Sequence, residues 1–440
     1  MTDPQRRPPP PSAAAGRPLP LAQPGPPPFP LIAGHFAAGF GWAILGTAGL
    51  VWLAPVLASR SFLDPRALGL THLFTLGWIT TIIMGVFYQI FPAMLGVAAR
   101  SLRVARLSFA AQVSGTATLA CGLLLGSRFV QSAGWTLLFA ALYGVAWNFL
   151  PQNRKAGRNR QLGIYISYAH MGLGFAMLIG GARIGDALGW WTTPRLPLLA
   201  AHFHFGAVGF ASMTVAGLGS RMLPMFLGTI DAPAWPNRAL PRILASGTVL
   251  FAAGEIAGIR WLALGGAAAM IAGALIFLWL SARWYRGRAR RALDPATALT
   301  LTALGWLALA LPMGCIALAR GPLAGGIVIA YVALLLLGWL SAFILGVSYR
   351  VLPTLTWHHR FAARAGQPGT PALPQMVLPI LGWVTVALHT TGLGLLTIGL
   401  VTSNQPLTRG GALLLLGSIL STTAHHLRLA LVGRTRRGTA

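Results

Sequence analysis

The sequence predicts an all-α polytopic membrane protein with twelve transmembrane helices in three four-helix repeats. Its composition, the spacing of its apolar runs and an internal repeat support this prediction. Of the 440 residues, 55% are hydrophobic and 9% are charged, which is more apolar than globular domains are. The formal charge of +27 does not indicate nucleic acid, because the arginines form short clusters between apolar runs. We therefore expect a lipid bilayer, and no nucleic acid, around this chain.

Twelve apolar runs have the length of about 20 residues that crosses the hydrocarbon core. They begin near residues 31, 68, 104, 129, 164, 196, 239, 260, 296, 325, 374 and 409. Connections after even-numbered runs are rich in arginine, as in PQNRKAGRNR (151–160), whereas GSR (126–128) carries one. The asymmetry predicts that both termini are cytoplasmic. We expect a disordered proline-rich cytoplasmic tail (1–30), a membrane domain (31–430) and a basic cytoplasmic tail (431–440).

The chain repeats itself with a period of about 130 residues. Residues 71–96 align with 201–228, and a third copy, Tyr331–Pro353, keeps the glycines but has no histidine. The matched positions are His72 with His204, Gly77 with Gly209, Gly85 with Gly217, Pro92 with Pro224 and, in the preceding helices, His35 with His170. Three four-helix units predict a pseudo-threefold bundle in which helices 2, 6 and 10 are equivalent.

Three histidines are predicted to lie one to two turns below the outer surface. His72 and His204 occupy the same position of equivalent helices, and two imidazoles facing each other at one depth suit a b-type haem. His202 points about 200° away from His204 and is a candidate ligand of a second haem or metal. Glu255, and Tyr331 as the third-repeat equivalent of His202, are further candidates there. The alternative for each histidine is a hydrogen bond between helices, and for Glu255 a contact with nearby Arg260.

The remaining histidines give weaker indications. For His35 and His170, near the inner face, we favour helix packing or a polar role in the inner layer over ligation. The direction of His389 cannot be read. The pairs at predicted cytoplasmic helix ends are expected to be solvated or to face lipid headgroups: His358 with His359, and His425 with His426.

The motif Ala-His-Phe-His-Phe (201–205), together with His72 and three arcs of helices, resembles the catalytic subunit (subunit I) of haem-copper oxidases and nitric oxide reductases. In that family a similar motif supplies one ligand to a low-spin haem and, from the other face of the helix, one to a second centre. The resemblance implies that His72 and His204 hold the low-spin haem and that His202 faces the second centre. The chain resembles more closely the divergent NnrS group, membrane haem-copper proteins associated with nitric oxide metabolism.

The resemblance also implies a bacterial inner membrane and a cytochrome or a quinol as electron donor. Gly206 and Val208 stand where a His-x-x-x-Tyr copper motif requires tyrosine, so we expect no complete copper site. A copper ion or a second haem remains an alternative for the second centre. Two reactions also remain open: electron transfer, or handling of nitric oxide or oxygen by a divergent oxidoreductase. The competing class is a transporter or permease with a histidine-lined path and no haem, which would purify without a Soret band.

Overall fold

The computed structural model describes residues 28–153, 160–229, 234–289 and 291–432. Twelve long helices run through these ranges, and no strand occurs in them. The helices are α1 (Phe29–Ala58), α2 (Pro65–Leu95), α3 (Leu102–Leu124), α4 (Arg128–Asn153), α5 (Arg160–Ala187), α6 (Arg195–Leu227), α7 (Ala234–Ala257), α8 (Arg260–Arg286), α9 (Pro295–Arg320), α10 (Gly325–Arg364), α11 (Pro379–Thr402) and α12 (Gln405–Leu431). Short 3₁₀ turns at Gly321–Ala324 and Leu373–Met376 precede α10 and α11.

Eleven helices in the described ranges, α1 to α11, are long and apolar enough to cross a membrane. The polytopic all-helical prediction is thereby confirmed. The twelfth long helix, α12, has 27 residues and packs against α1 and α11, but it is not among those eleven. The predicted tails, apart from residues 28–30 and 431–432, lie outside the described residues.

Helices α2, α6 and α10 meet at the centre of the bundle through short π-helical segments. These segments are Leu73–Thr80, Phe205–Ser212 and Leu334–Ser341, of eight residues each, and each touches the other two. Wider π turns lack the regular i→i−4 bonds, and the freed carbonyls accept from hydroxyl groups five residues later. The donors are Thr80 to Thr75, Ser212 to Ala207 and Ser341 to Leu336.

Two tryptophans tie these central segments together. Trp78 of α2 donates its indole N–H to Ser341 of α10, and Trp339 of α10 donates to Ser212 of α6, both at 3.0 Å. The two indole rings are almost fully buried. The bonds fix how the three central helices are rotated about their axes, and therefore which side chains face one another between them.

Glycines on α2 and α6 allow α1 and α5 to approach these helices closely. A Cβ atom on Gly85 would lie 2.6 Å from the Cβ of His35, and one on Gly217 would lie 2.6 Å from the Cβ of Tyr165. The predicted match of His35 with His170 is therefore wrong by five residues, since the side chain that packs against the equivalent glycine is Tyr165. The error arose because a His-x-x-x-Gly-Phe pattern occurs at both places.

The two ends of the described chain lie at the same end of the bundle. Phe29 at the start of α1 stacks on His359 at 4.1 Å, and Arg360 donates to the carbonyl of Leu429 in α12. At the opposite end Arg60, after α1, donates to Ser403, between α11 and α12. His72, His202 and His204 belong to this second end.

Candidate functional site

The candidate site lies where α2 and α6 change from α-helix to π-helix. His72 is the last α-helical residue of α2 before its π segment, and His204 is the last one before the π segment of α6. Such interruptions are frequent at functional sites, because the wider turn re-aims the side chains beside it. His202 lies two residues, or about half a turn, closer to the start of α6.

The structure brings His72 and His202 together. Their ring centroids are 6.1 Å apart, with 36° between the ring planes. Each ring is oriented by a bond from its Nδ1–H to a backbone carbonyl: His72 donates to Leu68 at 2.7 Å and His202 donates to Ala176 of α5 at 2.8 Å. Within the described residues neither Nε2 atom has a hydrogen-bond partner, so both lone pairs remain available to a ligand.

The distance of 6.1 Å between the two ring centroids is close to that of two imidazoles bound on opposite sides of one metal ion. Metal–imidazole bonds of about 2.0 Å on opposite sides of an ion would place the ring centres roughly 6 Å apart. A ring that coordinates through Nε2 while donating Nδ1–H to a carbonyl is the usual arrangement of metal-bound histidine.

His204 faces a different neighbour. Its Nδ1–H donates to the carbonyl of Ala200 at 2.8 Å, and its Nε2 accepts from the hydroxyl of Tyr331 in α10 at 3.1 Å. Phe251 of α7 packs on the same ring at 4.4 Å. The lone pair of His204 is therefore already engaged. The predicted partnership of His72 with His204 stays a prediction, and the partner that the structure places beside Tyr331 is His204 rather than His202.

A cavity of about 670 Å³ lies on the His204 side of α6. Residues of α1, α2 and α6 to α11 line it, including Leu68 and Thr71 of α2. Three of the predicted site residues, His204, Tyr331 and Glu255, belong to the lining, but neither His72 nor His202 does. The two histidines thus face different neighbours on opposite sides of α6, as their two-residue spacing predicts.

Glu255 lies near the end of α7, next to the turn that leads to α8. Arg260 donates to the carbonyl of Leu318 in α9 at 3.1 Å, and no ion pair between Glu255 and Arg260 is found among the described residues. Within the same residues no group of three or more His, Cys, Asp or Glu side chains could hold a metal ion. The predicted role of Glu255 as a metal ligand therefore stays a prediction, and the described residues provide no set of three ligands that includes it.

The other histidines divide into exposed and buried ones. His358 and His359 are exposed, as expected, whereas the expectation that the second pair is solvated is wrong. His425 is fully buried and stacks on Tyr349 at 4.6 Å. The Nε2 atom of His426 and the hydroxyl of Ser348 are hydrogen-bonded at 2.9 Å. The packing of α12 against α1 explains the error, since a helix end was taken for a solvent-exposed position.

His35, His170 and His389 are all buried. His35 and His170 each donate Nδ1–H to the carbonyl four residues earlier in their own helix. Their rings pack against aromatic side chains, Phe109 for His35 and Phe87 for His170, which agrees with the packing role favoured for them.

Sequence reasoning missed the group that orients His202. The carbonyl of Ala176 belongs to α5, so no local pattern around residues 201–205 could indicate it. Comparison of the chain with protein-family models finds no match, and comparison with curated proteins finds none.

Proposed function

We propose that this protein is an integral membrane haem protein in which His72 and His202 would hold one b-type haem. The observation that carries the proposal is the pair of imidazoles 6.1 Å apart, each with Nδ1 committed to a carbonyl and Nε2 without a partner. The family resemblance suggested a haem at this depth. The geometry favours His202 over His204 as the partner of His72, since the Nε2 of His204 accepts from Tyr331.

The number of ligands favours haem over a bare metal ion. Zinc and copper sites are built from three or four protein ligands, whereas no group of three candidate side chains occurs among the described residues. Haem iron receives four nitrogens from its macrocycle and needs two axial ligands from the protein. A pair of histidines is therefore complete for haem and incomplete for the other ions.

Two axial histidines also favour one of the two reactions that the sequence left open. A haem held by both His72 and His202 would supply one-electron transfer rather than binding of oxygen or nitric oxide. The residues of the chain hold the site rigid. The carbonyls of Leu68 and Ala176 fix the ring orientation and leave each Nε2 as an acceptor, so little rearrangement accompanies a change of charge.

We also propose the finer architecture: twelve spans in three repeats around a pseudo-threefold axis, with both termini in the cytoplasm of a bacterial inner membrane. The three π segments and their mutual contacts support the repeats. The arginine clusters support the orientation. Accessibility of single cysteines tests it after Cys121 and Cys315 are replaced. Gln405→Cys should react with an impermeant maleimide in intact cells and Gln367→Cys should not, and the reverse pattern would invert the topology.

Spectroscopy of the purified protein tests the haem proposal. The expected result is a Soret band with sharp low-spin bands on reduction, at one haem per chain. His72→Ala and His202→Ala should each abolish the low-spin spectrum, because a single imidazole leaves the iron five-coordinate or the haem unbound. His204→Ala is the matched control, two residues from His202 on the same helix, and should keep the spectrum.

Three results would change this conclusion. Loss of the low-spin spectrum in His204→Ala but not in His202→Ala would restore the pairing predicted from the repeat. A full complement of copper with oxygen consumption would require a second centre. A folded protein that purifies without a Soret band would exclude the haem proposal. It would favour the alternative function, a transporter whose buried histidines line the substrate path.

A further inference from the structure

The cavity beside His204 is long and apolar, and its lining includes neither His72 nor His202. Along α8 its lining runs from Arg260 to Phe277, a distance of about 25 Å at 1.5 Å per residue. This covers most of the roughly 30 Å of a bilayer's hydrocarbon core. Its volume of about 670 Å³ lies within the usual range of small-molecule sites. An elongated apolar space of this size suits a chain-like ligand.

The polar groups of the cavity indicate a ligand without net charge. Among its lining residues only Glu255 and Arg260 are charged, and they have opposite signs. Both stand at the turn between α7 and α8, at one end of the cavity. The polar groups deeper in the cavity are neutral. His204 lies about 13 Å along α6 from the first residue of that helix, and its imidazole accepts a hydrogen bond from the phenol of Tyr331. A carboxylate or phosphate buried there would have no counter-charge, which is costly in an apolar environment.

The hydrogen bond between Tyr331 and His204 also selects the type of head group. A ligand hydroxyl can donate to the phenol oxygen, or enter the pair by accepting from Tyr331 and donating to His204, so that no polar atom loses its partner. A carbonyl oxygen only accepts. It would accept the hydrogen bond of the Tyr331 hydroxyl and leave the Nε2 of His204 buried without a donor, which is unfavourable.

We propose that this cavity binds a neutral long-chain alcohol, with its hydroxyl at the Tyr331–His204 pair and its hydrocarbon chain along α8. A second haem is disfavoured as occupant because the lone pair of His204 that would bind iron already accepts from Tyr331. The proposal does not depend on the haem between His72 and His202, since neither residue lines the cavity.

Photolabelling of the full-length protein in nanodiscs tests this proposal. The probe is a sixteen-carbon primary alcohol with a diazirine in its chain, competed with unlabelled hexadecanol, hexadecanoate or the matching methyl ketone. We expect saturable labelling of peptides from α8 that hexadecanol displaces at least tenfold better than either competitor. Ala274→Phe, which fills the cavity, should abolish labelling. Ala272→Phe, on the exposed face of the same helix, should not affect it.

Tyr331→Phe provides the head-group test, and removal of one hydrogen bond should weaken binding roughly 2- to 10-fold. Tyr349→Phe, on the same helix but outside the cavity, should leave binding unchanged. Equal displacement by hexadecanoate, labelling that does not saturate, or labelling that survives Ala274→Phe in a protein with unchanged melting temperature would each overturn the proposal. So would a second haem per chain that is lost in His204→Ala. His72→Ala should abolish the low-spin spectrum without affecting labelling, so the haem proposal and the cavity proposal can be tested independently.

Discussion

The two faces of α6 carry the same type of side chain at nearly the same depth, yet they meet different partners. On one face His202 lies opposite the imidazole of His72, and both Nε2 atoms are available to a ligand. On the other face His204 accepts from Tyr331 beside a large apolar cavity. The residue type therefore does not decide the role of a buried histidine. The group opposite decides it, and that group belongs to another helix.

The contrast also shows what the central packing must achieve. α6 lies between α2 and α10, and a modest rotation about its axis would turn His202 away from His72 and His204 away from Tyr331. The close approach of α5 and the tryptophan bonds between the π segments restrain that rotation. Changes that relax either restraint should therefore disturb both faces together, while changes at one face should leave the other intact.

The largest effect is expected from Gly172→Ala in α5. A Cβ atom there would lie 2.5 Å from the backbone of Gly209 in α6, and backbone atoms cannot move aside as a side chain can. Overpacking of this kind costs about 1–3 kcal/mol, and we expect the upper end. Because α6 would be displaced, both the low-spin spectrum and labelling of the cavity should diminish, and the melting temperature in detergent should fall.

Gly174→Ala is the matched control for this change. Gly174 is in the same helix, is exposed, and an added Cβ would meet nothing within 4 Å. Its replacement should leave both sites and the melting temperature unchanged or slightly improved, because alanine favours helix by up to about 1 kcal/mol. If both variants behaved alike, close packing of α5 on α6 would not be what positions the histidines.

Much of this arrangement could be predicted from the sequence. The apolar runs predicted the helices, and the two-residue spacing predicted that His202 and His204 face apart. Their partners could not be predicted, because the rotation of α6 against α2 and α10 depends on contacts distant in sequence. Ala176 and Tyr331 are, respectively, 26 and 127 residues from the histidines that they contact.

A second prediction concerns the tryptophan bonds. Trp78→Phe and Trp339→Phe each remove one buried indole N–H and leave a serine hydroxyl without that donor, at a cost of about 1 kcal/mol each. The double variant should lose about twice that, measured by unfolding in mixed micelles. Because Trp339 joins α10 to α6, its replacement should affect labelling of the cavity more than the low-spin spectrum.

Trp284→Phe serves as the control for the tryptophan variants. Its indole is also almost fully buried, but the N–H has no partner within the described residues. Replacement removes an unsatisfied donor, so the remaining cost is limited to packing and should be smaller than at Trp78 or Trp339. A larger loss in Trp284→Phe would show that ring volume, rather than the N–H bonds, determines these stabilities.

A third prediction isolates the pair on the cavity face. The free energy of unfolding is measured in a double-mutant cycle of His204→Leu and Tyr331→Phe. The coupling between the two changes should be about 0.5–1.5 kcal/mol, the net value of one buried hydrogen bond. The low-spin spectrum should stay unchanged in all three variants, since neither side chain faces His72. A change in the haem spectrum of Tyr331→Phe would mean that the two faces are coupled through α6.

The smallest effect is expected at the mouth of the cavity. Arg260 is exposed, and its hydrogen bond goes to the carbonyl of Leu318 rather than to Glu255. Arg260→Ala and Glu255→Gln should therefore each change the free energy of unfolding by less than about 0.5 kcal/mol, and their effects should add, because residues without a direct contact are uncoupled. Labelling by the long-chain alcohol should also persist, since its hydroxyl is placed deeper, at His204 and Tyr331. Coupling above about 1 kcal/mol in this cycle would instead support the contact between Glu255 and Arg260 that their spacing suggested, and the cavity would then be closed at its mouth by an ion pair.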